Sequence, residues 1–229
     1  MNDENGQPTS TLNGPRVANL LTRLFAESEA SDARLRQMLG DVSPEERARR
    51  MSDPHADYRK FFNRVRELYM AVSPETARLL YMLARANGAR AVVEFGTSFG
   101  ISTVHLAAAL RDNGGGLLIG SELEPKKVEQ ARANLSAAGL DDLVDVREGD
   151  ALETLARDLP ETVDLLLLDG HKPLYVPILD LVAPRLRKGA FLVADNVDAS
   201  PEYVARVRAN GGGYLSVPFA EDVEVSIKL

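Results

Sequence analysis

The sequence has no cysteine and no tryptophan among its 229 residues. Without cysteine the chain can form no disulfide scaffold, no thiolate zinc site and no cysteine nucleophile. No apolar run approaches the ~20 residues that a membrane-spanning helix needs. Residues 1–4 are polar and acidic, and no signal-peptide hydrophobic region follows them. We therefore expect a soluble cytoplasmic protein without a membrane partner, large enough to bury a full core.

Positive charge is also scarce, since 27 Lys and Arg against 34 Asp and Glu leave a net charge of -7. The deficit lies in residues 91–229, whereas residues 1–90 are slightly basic. Capture of a long nucleic acid needs a dense positive face, so we do not expect nucleic-acid binding. The one basic cluster, Arg47, Arg49 and Arg50, is typical of a solvated helix face.

The N-terminal part of the chain has helical patterning. Residues 1–15 are polar and contain Gly and Pro, which predicts a disordered tail. Residues 16–88 are predicted to form a helical cap, because apolar residues recur there at helical spacing. The predicted helices begin near residue 16, run over 32–39 and stop at Gly40, begin again at Ser43, and run over 58–70 and 73–88. The sequence leaves open whether this cap covers a pocket or forms the face of a homodimer.

From residue 89 onward short apolar runs alternate with helical segments. This alternation predicts an α/β domain over 89–229, a Rossmann-like, mostly parallel sheet with right-handed crossovers. The predicted strands are 91–95, 117–119, 144–146, 163–168, 190–194, 214–219 and 223–229, and the predicted helices are 102–110, 125–138, 151–159, 175–186 and 201–209. Only residues 220–222 separate the last two strands, which is too short for a parallel crossover. The last of the seven strands should therefore run antiparallel.

A glycine-rich turn follows the first strand. Gly96 and Gly100 allow a tight turn and the close approach of a ligand, and the next helix begins there with free N–H groups. Their spacing differs from the G-x-G-x-x-G that favours a dinucleotide. Glu122 ends the second strand, where an acid can accept both hydroxyls of a ribose. The alternative is an ordinary tight turn, with Glu122 as the cap of the next helix.

A short polar loop follows the third strand. Residues 148–151 could meet the edge of an adenine ring. Asp150 serves equally well as the N-cap of the helix that begins at Ala151. Both interpretations stay open at this stage.

Acidic side chains end two further strands. Asp169 follows the strand over 163–168, and Asp195 and Asn196 follow the strand over 190–194. Two carboxylates and one amide oxygen suit a hard cation such as Mg²⁺, which also relieves the repulsion between the acids. The alternative is that Asp195 and Asn196 form a turn and Asp169 caps a helix, because these residue types are common in such positions.

A lysine and a histidine lie next to the first of these acids. Lys172 could accept a proton in a low-dielectric pocket beside a divalent cation, or it could be an ordinary surface lysine. His171 fits a pocket wall better than a base or a ligand. His105 lies on an apolar helix, which indicates a packed side chain.

These motifs together resemble one enzyme family. Residues 93–102 (VEFGTSFGIS), 168–175 (LDGHKPLY), 186–190 (LRKGA) and 194–197 (ADNV) are similar to the motifs of class I S-adenosylmethionine-dependent, divalent-metal-dependent O-methyltransferases. Catechol O-methyltransferase and the caffeoyl-CoA methyltransferases belong to this family. The resemblance covers about residues 65–229.

The resemblance implies S-adenosylmethionine and Mg²⁺, or Mn²⁺ or Ca²⁺, as cofactors, and a site at matching positions. It assigns the methyl donor to Met70, Val72, Glu94, Gly96, Ser98, Gly100, Ser102, Glu122, Asp150, Ala151 and Asp169. It assigns the metal to Asp169, Asp195 and Asn196, and the catalytic base to Lys172. The implied reaction is methyl transfer to a hydroxyl of a small, catechol-type aromatic substrate.

The chain departs from the catechol enzymes on the substrate side. Leu68 and His171 stand where those enzymes hold their flat substrate between Trp residues. The acid that grips the second hydroxyl has no clear match, although Glu221 and Glu224 are near. Two alternatives therefore stay open: methylation of an RNA hydroxyl by the same fold, and a nucleoside-binding protein without catalysis.

Overall fold

The structure is a computed structural model that describes residues 10–39, 43 and 58–229. Its centre is a seven-stranded sheet in the order β3-β2-β1-β4-β5-β7-β6. The strands are β1 (Ala91–Phe95), β2 (Leu117–Glu122), β3 (Val144–Glu148), β4 (Val163–Leu168), β5 (Leu186–Ala194), β6 (Tyr214–Phe219) and β7 (Val223–Lys228). The strand order reverses between β1 and β4, and parallel sheets bind ligands beyond the carboxyl ends of their strands at such a reversal.

The direction of the last strand confirms the prediction of a mixed sheet. β7 pairs antiparallel with both β5 and β6, whereas β1 to β5 pair parallel with one another. The fold is therefore the predicted Rossmann-like sheet with helices.

Eight α-helices accompany the sheet in the described ranges. They are α1 (Pro15–Leu39), α2 (Tyr58–Arg64), α3 (Pro74–Ala86), α4 (Ile101–Asp112), α5 (Pro125–Ala138), α6 (Ala151–Thr154), α7 (Tyr175–Val182) and α8 (Pro201–Arg208). No helix in these ranges is both long enough and apolar enough to cross a bilayer.

The strands bury apolar side chains on both faces of the sheet. Successive residues of β1 and β4 alternate between two cores, with Val92 and Leu165 in one and Val93 and Leu166 in the other. This alternation follows from the period of two residues in a strand. The first core includes residues of α1, α3, α4 and α5, and the second includes residues of α6, α7 and α8. A sheet covered on both faces is typical of α/β proteins.

The helix α1 is a single element of 25 residues, which corrects the prediction of separate helices before residue 40. No Gly or Pro interrupts residues 16–39, so the helix has no reason to break there. Buried side chains of α1, including Leu20 and Leu24, belong to the core on that face. The domain boundary at residue 88 stays a prediction, since α1 and α3 share this core with the sheet.

The start of the chain is ordered where the structure describes it. The backbone N–H of Thr11 donates to Asp112 at 3.0 Å, and the Arg16 guanidinium donates to the carbonyls of Ser136 and Ala137 at the end of α5. Residues 10–15 of the predicted tail are therefore folded. Residues 1–9, Gly40 as a helix end, and the predicted helix after Ser43 lie outside the described residues.

Three helices end earlier than predicted, each because another interaction takes over. After Arg64 the chain makes tight turns, with hydrogen bonds from Val65 to Phe62 and from Leu68 to Val65, so the predicted helix does not reach residue 70. Helix α6 stops at Thr154 rather than 159, because the Arg147 guanidinium binds carbonyls of residues 154, 157 and 158.

Helix α7 stops at Val182, and β5 starts at Leu186 instead of Ala190. The backbone of Arg185 turns back to Val182 at 2.8 Å, and Leu186 then pairs with Val163 of β4. The sheet thus recruits residues that were predicted to be helical. Pairing with a neighbouring strand outweighed the helical pattern there.

Candidate active site

The predicted site residues converge at the carboxyl ends of four neighbouring strands. Gly96, Asp169 and Asp195 directly follow β1, β4 and β5, and Glu122 is the last residue of β2. The parallel pairing of these strands puts all four residues at one edge of the sheet. This edge includes the reversal between β1 and β4. We call it the sheet edge.

Gly96 brings two loops of the sheet edge into direct contact. Its φ is +99°, and a Cβ atom at this position would lie 2.4 Å from the carbonyl oxygen of Asp169. Gly100, with φ +88°, begins α4 in the same left-handed region. Both positions therefore need glycine, one for close approach and the other for backbone conformation.

Glu94 holds the glycine turn from below. Its carboxylate is fully buried and accepts hydrogen bonds from Thr97 at 3.0 Å and from Ser102 and Thr103, each at 2.6 Å. Burial raises the pKa of Glu94, while these three hydroxyl groups act in the opposite direction. Glu94 and Ser102 thus bond to each other, and their predicted contact with a methyl donor stays a prediction.

Glu122 presents two half-used oxygens at the sheet edge. Its Oε2 accepts the backbone N–H of Ser98 at 2.8 Å, and its Oε1 accepts the backbone N–H of Glu124 at 2.9 Å. Each oxygen of an ionised carboxylate has room for a second donor. The side chain is fixed by the backbone, and it can still receive two hydroxyl groups side by side.

The segment before α3 reaches the same turn. Tyr69 stacks on Phe99 with ring centroids 4.2 Å apart, and Ser98 Oγ donates to the Tyr69 carbonyl. The backbone N–H of Tyr69 in turn donates to Ser31 of α1 at 2.8 Å. Met70 follows with φ +48°, and Val72 is buried. The structure therefore brings this predicted segment to the glycine turn.

Asp150 is an N-cap, as one of its two interpretations stated. Its Oδ1 accepts the backbone N–H of Leu152 at 3.0 Å, at the start of the helix that opens with Ala151. Its Oδ2 accepts Tyr58 at 2.6 Å and Arg59 at 2.8 Å, both from α2. Burial acts to raise the pKa of Asp150, but the bonds from Tyr58 and Arg59 outweigh it and leave the pKa below its ordinary value. Adenine contact at Asp150 and Ala151 stays a prediction.

His171 forms a wall beside this contact. Tyr58 stacks on the His171 ring at 4.8 Å, and Phe62 meets it edge-on at 6.2 Å. Burial, followed by the charge of Lys172, lowers the pKa of His171 to about 4, so the ring is neutral at pH 7. The predicted wall role agrees with these contacts.

His105 is packed, as its apolar helix indicated. Its Nδ1 lies 2.8 Å from the carbonyl of Ile101, and the ring meets Phe25 of α1 edge-on at 6.0 Å. Burial lowers its pKa to about 4. Neither histidine is arranged as a base at the sheet edge.

The candidate metal set is Asp169, Asp195 and Asn196. Burial, and next the charge of Asp169, raises the pKa of Asp195 to about 8. Burial also raises the pKa of Asp169 to about 6, although Lys172 opposes the shift. In the part of the chain that the structure describes, no hydrogen bond reaches the Asp195 carboxylate. Two buried acids that share a site in this way are relieved by a cation.

The geometry of Asn196 completes this oxygen set. Asn196 has φ +51°. Its side-chain nitrogen Nδ2 donates to Asp222 Oδ2 at 2.9 Å, and this bond does not use the side-chain oxygen. Among the described residues no cluster of three or more His, Asp or Glu side chains could hold a metal, so the candidate set needs the asparagine oxygen. Two carboxylates and an amide oxygen fit a hard divalent cation that keeps several waters.

Lys172 is buried beside Asp169 rather than exposed. Its Nζ donates to the Tyr175 hydroxyl at 2.8 Å and lies 3.4 Å from Asp169 Oδ1. The Tyr175 hydroxyl donates onward to the carbonyl of Asp195 at 2.7 Å. One buried tyrosine thereby ties the lysine on the β4 loop to the acid on the β5 loop.

The two C-terminal acids differ in their surroundings. Glu224 is fully buried and bonded to Arg208 at 2.6 and 2.7 Å and to Ser216, so its carboxylate has a structural role. Glu221 is exposed in the turn between β6 and β7. The carboxylate of Asp222, the next residue, accepts a hydrogen bond from the Asn196 side chain. The backbone carbonyl of Asp222 accepts the N–H of Val197 at 2.8 Å.

Sequence reasoning missed Asp222, Tyr175, Tyr58 and Lys127 as members of the site. Tyr175 lies three residues after Lys172, which is the spacing of neighbours on one helical face and could have been a signal. Lys127 shares a buried helical face with Val128 and Ala131, so periodicity could have distinguished it from Lys126. No local sequence pattern predicts that Tyr58 or Asp222 belongs to the site, because both reach it through long-range contacts.

Comparison with known proteins identifies methyltransferase relatives of this chain. A family model described as a methyltransferase domain matches residues 93–197. The catechol O-methyltransferase of Mycobacterium tuberculosis is 38% identical over 128 residues, which is 56% of this chain and 57% of that protein. The catechol O-methyltransferase of Niastella koreensis is 35% identical over 56% of this chain and 58% of its own length. The chain thus spans less than two thirds of these two relatives.

A further relative is matched over more of its length. The putative O-methyltransferase of Mycolicibacterium smegmatis is 34% identical over 158 residues, 68% of this chain and 68% of that protein. Among solved structures, cofactor-bound Rv0187 from MTB has a TM-score of 0.63 and 27% identity, and the match covers 86% of this chain and 95% of that chain. The Bacillus cereus O-methyltransferase in complex with SAH has a TM-score of 0.61, but at 23% identity over 77% of this chain and 93% of that chain it supports the fold alone.

Proposed function

Because the chain belongs to the family of class I S-adenosylmethionine-dependent O-methyltransferases, we propose that it transfers a methyl group from S-adenosylmethionine to a hydroxyl of a small aromatic substrate. The substrate we propose is of catechol type, with two neighbouring hydroxyl groups, because relatives named catechol O-methyltransferase match the chain. A divalent metal, Mg²⁺ before Mn²⁺ or Ca²⁺, assists the reaction.

The glycine turn and Glu122 form the donor side of the proposed site. Glu122 would accept the two ribose hydroxyls, one on each carboxylate oxygen, since each oxygen has only one hydrogen bond, from the backbone of Ser98 or Glu124. Gly96 and Gly100 would let the methyl donor approach the backbone, and Met70 and Val72, which follow Tyr69 at this turn, would line it. Glu94 and Ser102 hold the turn in this shape through their mutual bond at 2.6 Å.

The other side of the proposed site handles the acceptor hydroxyl. Asp169, Asp195 and Asn196 would hold the divalent ion. When bound, the donor supplies a methyl group on a positively charged sulfur, and the ion lowers the pKa of the hydroxyl to be methylated. The residues around them orient the two reactants, and orientation of this kind can contribute up to about 7–11 kcal/mol to catalysis.

Lys172 accepts the proton of the substrate hydroxyl. Its Nζ is held by the Tyr175 hydroxyl at 2.8 Å, and Tyr175 is itself held by the Asp195 carbonyl. The amine therefore stays next to Asp169 and near the backbone of Asp195, where the hydroxyl would be bound. Burial of the lysine also keeps water from competing for the proton.

One observation carries the proposal: a buried lysine lies 3.4 Å from Asp169 and is linked through the Tyr175 hydroxyl to the backbone of Asp195, and these two acids follow adjacent strands. Outside a reaction centre this arrangement is costly, because buried carboxylates with raised pKa values oppose folding at neutral pH. The pattern is typical of sites that hold a cation and move a proton.

The test is transfer of a labelled methyl group from S-adenosylmethionine to four acceptors: a catechol, a hydroxycinnamate, a flavonoid and an RNA. We expect label on the catechol, loss of transfer in excess chelator, and recovery when Mg²⁺ is restored in excess. Transfer that persists in chelator would overturn the metal role. Label on RNA alone would replace the proposed substrate, and donor binding without transfer to any acceptor would favour a nucleoside-binding protein.

A further inference from the structure

Lys127 is a buried lysine at the sheet edge that the proposed reaction does not use. It lies in the first turn of α5, with 2% of its surface exposed. Its neighbour Lys126 is exposed and pairs with Glu67 at 3.0 Å. A cation is unfavourable at the N-terminus of a helix and more so when buried, so the position of Lys127 needs an explanation.

The ammonium group of Lys127 has too few acceptors in the folded chain. Among the described residues it makes one hydrogen bond, at 3.4 Å, to Ser98 Oγ, and it lies 5.4 Å from the centroid of the Phe99 ring. An ammonium group has three N–H donors. Burial lowers the pKa of Lys127, while Glu122, Glu124 and Asp169 act in the opposite direction. At least two of its three N–H donors therefore have no hydrogen-bond acceptor among the described residues.

Ser98 connects this lysine to the proposed ribose site. The Ser98 hydroxyl receives Lys127, and the Ser98 backbone N–H donates to Glu122 Oε2 at 2.8 Å. Both charged groups therefore meet at one residue of the glycine turn. The hydroxyl hydrogen of Ser98 is already donated to the Tyr69 carbonyl, so Ser98 can act toward Lys127 only as an acceptor.

We propose that Lys127 binds the ribose of S-adenosylmethionine. Its ammonium group donates hydrogen bonds to the oxygens of the ribose hydroxyls, whose hydrogens are donated to Glu122. The proposal rests on the proposed function, and it follows from counting donors and acceptors. A hydroxyl that donates its hydrogen to Glu122 still has an oxygen that accepts. In a buried site that oxygen needs a donor, and Lys127 has donors without acceptors. A hydrogen bond from Lys127 to a ribose hydroxyl oxygen would satisfy both groups.

The rival explanation is that Lys127 only offsets the charge of the three acids around it. Both explanations expect weaker donor binding when the charge is removed, so the measurement must report on the ribose hydroxyls themselves. Calorimetry with S-adenosylhomocysteine and its 2′-deoxy and 3′-deoxy analogues does so. Each analogue is measured with the wild type, with Lys127→Met, which keeps the apolar stem, and with the matched control Lys126→Met.

We expect the wild type to bind S-adenosylhomocysteine at least about tenfold more tightly than one or both deoxy analogues, since a hydrogen bond to a charged group is at stake. In Lys127→Met this preference should shrink by at least about threefold, because only the bonds to Glu122 are left, while Lys126→Met keeps it. A Lys127→Met protein that binds all three ligands as the wild type does overturns the proposal. So does one that weakens all three by the same factor, because that outcome means charge balance alone.

A second variant covers the case in which Lys127→Met does not fold. Lys127→Arg keeps both the charge and the N–H donors, and we expect it to retain at least half of the preference for the full ribose. A folded Lys127→Arg protein without that preference also overturns the proposal. If the wild type binds no S-adenosylhomocysteine at all, the proposed function itself fails, and this outcome is distinct from a failure of Lys127 alone.

Discussion

Two regions face each other across the candidate site, and they are built differently. At the sheet edge, backbone N–H groups hold Glu122, and the buried Lys172 has only 4% of its side chain exposed. The opposite region, which we call the cover, consists of α1 and α2. It reaches the site through side chains, and Arg59, which binds Asp150, is 62% exposed.

The two regions differ in what they are expected to control: the sheet edge the reaction, and the cover the entry and release of ligands. The sheet edge is fixed by strands paired on both sides, so its groups keep their positions without a ligand. Helix α2 of the cover contacts the sheet edge through hydrogen bonds and ring stacking that are individually weak, whereas α1 is also anchored by side chains in the core. We therefore expect substitutions at the sheet edge to affect turnover, and substitutions in the cover to affect stability and ligand exchange.

The largest effect is expected for Asp195→Asn, which removes one charge of the metal set and preserves its size. Loss of the metal should slow turnover by about a thousandfold or more, since a bound cation supplies several kcal/mol. Binding of S-adenosylhomocysteine, measured by calorimetry, should stay within about twofold. Asp198→Asn, at an exposed position nearby, is the matched control. Normal turnover of Asp195→Asn would show that the sheet edge does not hold the catalytic ion.

Lys172→Met should come next, with turnover reduced about a hundredfold to a thousandfold, the range of general-base catalysis. The methionine keeps the buried volume but cannot accept a proton. Steady-state kinetics should show a fall in kcat with little change in the affinity for the methyl donor. Lys188→Met, an exposed lysine, serves as the control. An equal loss in both quantities would make Lys172 a structural residue.

The contact of the cover with α4 predicts a pH effect on stability. The pKa of His105 is about 4 in the folded protein, below its ordinary 6.5, so the unfolded chain takes up the proton first as the pH falls. Stability present above pH 6.5 should therefore be lost between pH 6.5 and 4, by about 3 kcal/mol at most. Denaturant unfolding of His105→Leu should show a flatter pH dependence in this window. An unchanged slope would mean that His105 is not the group responsible.

The smallest effect is expected for Tyr58→Phe, which removes the hydroxyl bonded to Asp150 but keeps the ring on His171. The free energy of unfolding should fall by about 1 kcal/mol. Tyr81→Phe is a close match, because the Tyr81 hydroxyl bonds to Asp112 at the same 2.6 Å away from the sheet edge. The association rate of S-adenosylhomocysteine, measured by stopped flow, should rise about two- to fivefold in Tyr58→Phe and stay unchanged in Tyr81→Phe. Equal rates in both variants would remove the distinction between cover and sheet edge.

The sheet edge could be anticipated from the sequence because its residues follow strands. Asp169 and Asp195 each end an apolar run, and parallel strands bring such ends together. The cover could not, because Tyr58 meets Asp150 across 92 residues and no local pattern encodes that contact. Element ends were missed for a related reason: β5 gained Leu186 by pairing with Val163, a long-range interaction that outweighs helical preference.

The packing of Gly96 against Asp169 has a consequence for engineering this protein. A methyl group at residue 96 would overlap the Asp169 carbonyl and push apart the loops that follow β1 and β4. The loop it displaces carries one acid of the metal set and, three residues later, the proposed base. A substitution at residue 96 would therefore disturb the glycine turn and the position of the proposed base together.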